Sequence, residues 1–232
     1  TDKIKRDDLY HYLDSISPAV ILYESDTKSV QRMLNRTDFF RQLMSTFKKG
    51  NKVESFVSLK YIEYHPECEI FSYEWEERDS YHRKHDILSK SSEMLNAVIR
   101  LHREHVLTSD QSATVEEFLA LNTEISNIGM NANIHDINNA TTDSILRNRQ
   151  LYVYDHIPKI VKERKELKAY QDFVPRHMEY WDIRNRAMAQ NIINQIKRNP
   201  NKKIVVLNGY YHRYYLIDEL KKHEEDLNFS VK

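Results

Sequence analysis

Two short apolar runs lie near opposite ends of the chain, AVILYE at residues 19–24 and KIVVLN at residues 203–208. Pro18 and the Ser25-Asp26 pair bound the first, and Asn199-Pro200 precedes the second. Runs this brief do not make a buried helix, so both read as buried strands, the first of them central. Strands apolar on both faces belong to parallel sheets, and parallel neighbours need long crossover connections. The chain supplies them. Val30, Met33, Leu34, Phe40, Leu43, Met44 and Phe47 recur at helical spacing up to Lys48-Lys49-Gly50, and Val53, Phe56, Val57, Tyr61 and Tyr64 keep that period up to Pro66, a strand being the alternative for this second segment. A helix is also expected at residues 9–16. Residues 69–75, EIFSYEW, alternate Ile70, Ser72 and Glu74 with Phe71, Tyr73 and Trp75, the pattern of a half-buried strand.

Residues 80–167 are helical in character. Leu88, Leu95, Val98 and Ile99 form a stripe, Thr114 with Glu117 has the spacing of a capping box, residues 127–139 read as an Asn-rich loop around Gly129, and Pro158 should break or restart a helix. A long helix is expected over residues 179–198, a last helix over 213–223 and a short edge strand over 228–231. Strands alternate with helices at both ends of an all-helical middle. The expected fold is therefore α/β, a mostly parallel central sheet flanked by helices, with residues 80–167 as a helical insertion in one domain spanning 1–232.

Composition narrows the function. Thirty-five Lys and Arg balance 35 Asp and Glu, which argues against a general electrostatic grip on nucleic acid. No stretch approaches the roughly 18 apolar residues of a membrane span, and TDKIKRDD is not the apolar part of a signal peptide, so a soluble chain is expected, cytoplasmic or exported. One cysteine, Cys68, excludes an internal disulfide and a Cys-rich zinc site. Three glycines cannot write a phosphate loop, and no GxSxG is present.

Ligands of open α/β sheets collect at the carboxyl ends of the strands. Glu24 ends the first apolar run, where a carboxylate needs a partner. His212 follows the last run through Gly209, a sharp turn that glycine makes cheaply, and the positive end of the next helix should keep its imidazole neutral. Arg184 and Asn185 lie near the start of the long helix leading into that run, beside the stripe of Met188 and Ile192; a guanidinium there can neutralise a carboxylate or hold an oxyanion. The plainer alternative makes Glu24 a structural ion pair and His212 a helix cap. Tyr211, in the Tyr-rich start of the last helix, is a candidate for the substrate pocket. His82/His85 and His102/His105 have HxxH spacing, but no acid is fixed beside them, so edge-of-core histidines are the better reading. KIVKERKELK reads as a solvated helix face.

The stretch WDIRNRAMAQNIINQIKRNPNKKIVVLNGYYHRYYLIDEL resembles the C-terminal signature of the TraB/TIKI/erythromycin-esterase-like superfamily, an Arg-Asn helix before a strand ending in GxxH. SPAVILYESD is similar to that superfamily's strand with a terminal glutamate, and YEWEERD to its next strand with an acidic-Arg pair. The resemblance covers about a third of the chain. It implies a site of His212, Glu24 and Arg184, with Asn185, Glu74 and Arg78 binding substrate, and ester or peptide hydrolysis, metal-dependent in some members. A divalent ion, Mn or Zn, would then be held by His212 and Glu24. Members of a haem-binding branch imply the alternative of a ligand-binding module without turnover, for haem or a small molecule. The superfamily's first GxxH is absent, and the expectation is that it precedes Thr1. A third alternative is a helical interaction protein built on residues 80–167.

Overall fold

A computed structural model describes residues 6–35 and 53–232. Helix α1 (Arg6–Ile16) leads through Pro18 into β1 (Val20–Tyr23), and α2 (Thr27–Leu34) follows, its first turn capped by the Asp26 carboxylate accepting from the Ser29 N–H at 2.9 Å. The expected helix over residues 30–47 is seen only in this first part; its remainder lies outside the described residues. Helix α3 (Val53–Tyr64) precedes β2 (Glu69–Ser72). The middle of the chain is α4 (Arg78–His85), α5 (Ile87–Arg103), α6 (Ser109–Asn131), α7 (Ile134–Ile137), α8 (Ala140–Leu151), a π-helical turn (Tyr152–His156), α9 (Ile157–Glu163) and α10 (Lys168–Gln171). Then come α11 (Val174–Arg198), β3 (Ile204–Leu207), α12 (Tyr210–Lys221) and α13 (Glu224–Leu227).

The three strands form one parallel sheet in the order β2-β1-β3, with Ile21 opposite Ile70 and Val205. β1 is central, as its two-faced apolarity requires, and its four residues are at most 6% exposed. Alternate residues enter different cores. Val20 and Leu22 pack with Met188, Ile192, Leu216 and Leu220, whereas Ile21 and Tyr23 pack with Leu13, Val30, Val57 and Tyr61. Burying such side chains contributes about 1.5–3 kcal/mol each. β3 is an edge strand and only half-buried, not the fully buried strand its composition suggested. A further core gathers the helices of the chain's middle around Met94, Val98, Val115, Ile157 and Val161.

Several expectations are corrected. Residues 127–139 are not one loop: α6 runs through Gly129 to Asn131, and Asn133 with Asp136 makes a reciprocal capping box that starts α7. The capping box of α6 is Thr108 with Gln111; Thr114 lies inside the helix, donating to the Asp110 carbonyl at 2.9 Å. Leu88 is exposed, and the buried stripe of α5 is Ile87, Met94, Val98 and Leu101. β2 stops at Ser72, and the chain turns so that Glu74 points inward. Residues 228–231 are not a strand, because the N–H groups of Phe229 and Val231 both donate to Glu224 and fold the tail onto α13. The α9 helix ends at Glu163, inside the segment read as a solvated face, with Ile160, Val161 and Leu167 buried. α11 begins at Val174, so Arg184 lies in its third turn rather than near its start.

Pro158 marks the π turn. The Ile157 N–H reaches back to the Tyr152 carbonyl, five residues away. Continuing that register would pair residue 158 with the Val153 carbonyl, but proline has no N–H to give. The Nε2–H of His177 on α11 supplies the bond instead, at 3.3 Å. Among the described residues no helix is long and apolar enough to cross a membrane.

Candidate active site

All three strands end at the same guanidinium. Glu24 follows β1, Glu74 stands just beyond β2, and His212 follows β3 in the first turn of α12. Arg184 on α11 meets each: its Nη2 donates to Glu24 Oε1 at 2.7 Å and to Glu74 Oε2 at 2.6 Å, its Nε to Glu74 Oε1 at 3.0 Å, and its Nη1 to His212 Nε2 at 2.9 Å. Two residues far apart along the chain, Glu24 and His212, are thereby brought to one cation.

The two carboxylates differ in what they have left to give. Glu74 is fully buried and also accepts from the Trp75 N–H and from Arg78 Nη1, each at 2.9 Å. With the two bonds from Arg184 this fills all four of its acceptor positions. Glu24 is 19% exposed and, among the described residues, accepts from Arg184 and from the Gly209 N–H. Its spare acceptor capacity is open to water. The two carboxylates hold Arg184 as a cation: desolvation opposes its charge, while Glu74 and Glu24 favour it and win.

The tautomer of His212 follows from its neighbours. A guanidinium only donates, so Nε2 carries the lone pair and the proton sits on Nδ1, which donates to Asn185 Oδ1 at 2.8 Å. Asn185 is oriented in turn by its Nδ2 donating to the Trp181 carbonyl at 2.7 Å. Burial first, then the Arg184 and Arg78 charges, lower the imidazole pKa from 6.5 to about 3. The neutral state expected from the helix end is thus present for a different principal reason, desolvation.

Gly209 also acts otherwise than expected. Its φ of −61° is ordinary, so no left-handed turn needs a glycine there. The need is for close approach: a Cβ at this position would lie 3.3 Å from Glu24 Oε2.

Tyr211, a candidate for substrate binding, is outside this network. Its ring stacks on Tyr210 at 4.5 Å and lies under the Arg149 guanidinium at 5.0 Å, facing α8. Three residues that sequence reasoning did not single out for the site belong to it. Asn191 holds the turn after β2, donating to the Tyr73 and Glu74 carbonyls at 3.2 Å each. Tyr73, fully buried, donates its hydroxyl to the Leu207 carbonyl at 3.1 Å and ties the β2 end to the β3 end. Trp181 stacks on the His212 ring at 4.8 Å. Asn191 lies two turns after Arg184 on the same helix, a spacing that could have flagged it.

The histidine pairs do not form centres. His82 packs edge-on against Tyr180, His85 accepts from Arg176, His102 Nδ1 is buried without a hydrogen bond at the end of α5, and His105 lies beyond that helix. Among the described residues no group of three His, Cys, Asp or Glu is arranged to hold a metal ion. At the strand ends the donors that could take one, His212 Nε2 and Glu24, both face Arg184, and no buried polar atom of the cluster lacks a partner. The residues as arranged do not fit a divalent ion beside that guanidinium.

Comparison with known protein families, with curated proteins and with solved structures found no match.

Proposed function

We propose that this chain is a hydrolase-like α/β domain acting on an ester or peptide, built as a parallel sheet flanked by helices with residues 80–167 inserted, and similar to TraB/TIKI/erythromycin-esterase-like proteins. One observation carries the reading: the ends of three parallel strands deliver two carboxylates and a neutral imidazole to a single, partly buried arginine. A catalytic constellation gathers chain-distant partners in this way.

In this reading Glu24, the carboxylate with open acceptor positions, takes the proton from an attacking water. Arg184, its Nε and Nη2 held by Glu74, offers the second N–H of Nη1 to the substrate carbonyl oxygen as negative charge develops there. His212 Nε2, as its bond from Nη1 loosens, takes the proton from Glu24 and gives it to the leaving oxygen or nitrogen as its bond to carbon breaks. Glu74, saturated and buried, keeps Arg184 in place with Arg78 and Asn191. Asn185 fixes the tautomer. No step uses a metal ion, because Arg184 already supplies the positive charge.

A second reading, a ligand-binding module without turnover, is favoured by one feature: Glu74 has no open acceptor position and His212 Nε2 is already engaged. The two separate in one experiment. The purified protein is assayed on ester and peptide panels, with and without Mn²⁺ or Zn²⁺, beside Glu24→Gln and His212→Ala. Hydrolysis that falls about 100-fold or more in both variants supports catalysis; hydrolysis indifferent to both removes the assignment, and small-molecule binding without turnover supports the module.

A further inference from the structure

His212 is one end of a continuous stack of four rings. Trp181 lies on it at 4.8 Å with 20° between planes, Tyr154 lies on Trp181 at 4.7 Å and 17°, and His177 lies on Tyr154 at 4.6 Å and 22°. Two of these rings come from one face of α11, where His177, Trp181 and Asn185 are spaced four apart; Asn185 bonds the His212 ring that Trp181 covers. Tyr154 enters between His177 and Trp181 from the π turn. The turn's wider register points that ring inward, and the Val153 carbonyl it leaves open is the one His177 Nε2 satisfies. Ser91 closes the far end, its hydroxyl donating to His177 Nδ1 at 2.9 Å.

We infer that Trp181 and Tyr154 are positioning residues for His212, the π turn existing to wedge Tyr154 behind Trp181 so that the imidazole plane stays fixed with Nε2 on Arg184. The wedge matters because the two hydrogen bonds lie in the ring plane and set where Nδ1 and Nε2 point, while the ring face is left for a flat neighbour to hold against a shift of the side chain. Offset aromatic stacking supplies such a restraint at each step. It also excludes water from the ring face, which keeps the imidazole neutral between the positive charges of Arg184 and Arg78 and near the carboxylates of Glu24 and Glu74. The helical middle of the chain thereby contributes to the strand-end site without touching substrate. For its kinetic readout alone the inference rests on the hydrolytic reading proposed above.

The test is histidine side-chain NMR with the ester and peptide assay on Tyr154→Leu, Tyr154→Phe and Trp181→Phe. Tyr154→Phe keeps a flat ring and should leave the His212 signals and kcat as they are. Tyr154→Leu should move and broaden the His212 signals, raise its titration toward 6.5, and lower kcat about tenfold or more with KM little changed, the pattern of a displaced group. Trp181→Phe, a smaller ring, should do the same more weakly, and decides the matter should Tyr154→Leu not fold. Altered His212 signals in a protein that hydrolyses nothing would uphold the stack and remove the hydrolytic reading. Full activity and unchanged signals in Tyr154→Leu, with His212→Ala inactive, would overturn the stack and leave the hydrolytic reading standing.

Discussion

The two ends of the ring stack pose the same physical problem and reach different ends. His212 and His177 are both buried, both neutral, and each uses one nitrogen as donor and the other as acceptor. Desolvation lowers both, to about 3 and about 4. They differ in what they face. His177 meets a serine hydroxyl and a main-chain carbonyl left over by a proline, and its bonds complete the packing of helices. His212 meets a cation shared with a carboxylate that water can reach. A depressed imidazole pKa therefore marks burial, and the partners decide whether chemistry can follow.

The largest effects should come from the strand-end cluster. Glu74→Ala removes the acceptor of four bonds and leaves Arg184 and Arg78 without their shared counter-charge, a loss of about 3–5 kcal/mol for breaking a buried pair. Urea unfolding measures it. A loss under about 1 kcal/mol would mean that this cluster is solvated and no different in kind from a surface pair.

Arg184→Ala should cost a similar amount and gain a property. His212 Nε2, Glu24 Oε1 and Glu74 Oε2 all aim at the guanidinium, so its removal leaves an imidazole and two carboxylates around one space, a ligand set that suits Zn²⁺. Zn²⁺ should raise the Tm of this variant and not that of the wild type. No Zn²⁺ effect on Arg184→Ala would show that the donors relax apart once the cation is gone.

At the other end, His177→Leu takes the partner from the buried Val153 carbonyl and from the half-buried Ser91 hydroxyl, for about 1–3 kcal/mol. It should also flatten the response to acid. Both histidines have folded pKa values below the unfolded 6.5, so the unfolded chain takes up protons first as pH falls. Their contribution is intact above pH 6.5 and is lost downward toward pH 4, at about 1.4 kcal/mol per pH unit for each group. Urea unfolding between pH 7 and pH 5 should lose stability with a slope that drops by about one proton in His177→Leu. An unchanged slope would place the His177 titration elsewhere.

Most of this arrangement was legible from residue patterns, for reasons that differ by element. β1 could be read because a central parallel strand is apolar on both faces, and Glu24 because a carboxylate at the end of such a run must find a cation. Arg184, Asn185 and His212 were legible from their places on a helix and after a strand. What stayed hidden depends on contacts between segments. The half-exposure of β3 follows from sheet order, which its own apolar sequence does not encode. The end of β2 at Ser72 depends on Asn191, more than a hundred residues later. The π turn needs Pro158 and His177 together, and either alone reads as an ordinary break or an ordinary core residue.

Gly209→Ala separates the strand-end cluster from a merely tight turn, and it should be the smallest change of the set. Were the glycine needed for its backbone, alanine would be strained; at φ −61° it is not, and the less flexible unfolded chain favours alanine by about 0.4–1 kcal/mol. Against this, the new Cβ meets Glu24 Oε2 at 3.3 Å, tight enough to push the carboxylate by a few tenths of an ångström. The Gly209 N–H bond to Glu24 and the Arg184 bond on the other oxygen must then share the shift. Stability should change by less than about 1 kcal/mol, because gain and strain oppose each other. In the hydrolytic reading proposed above, hydrolysis should fall more than stability does, since Glu24 is the group displaced. Equal activity with unchanged stability would mean that the carboxylate has room to move, and that the approach of the β3 turn to Glu24 does not set the geometry of the site.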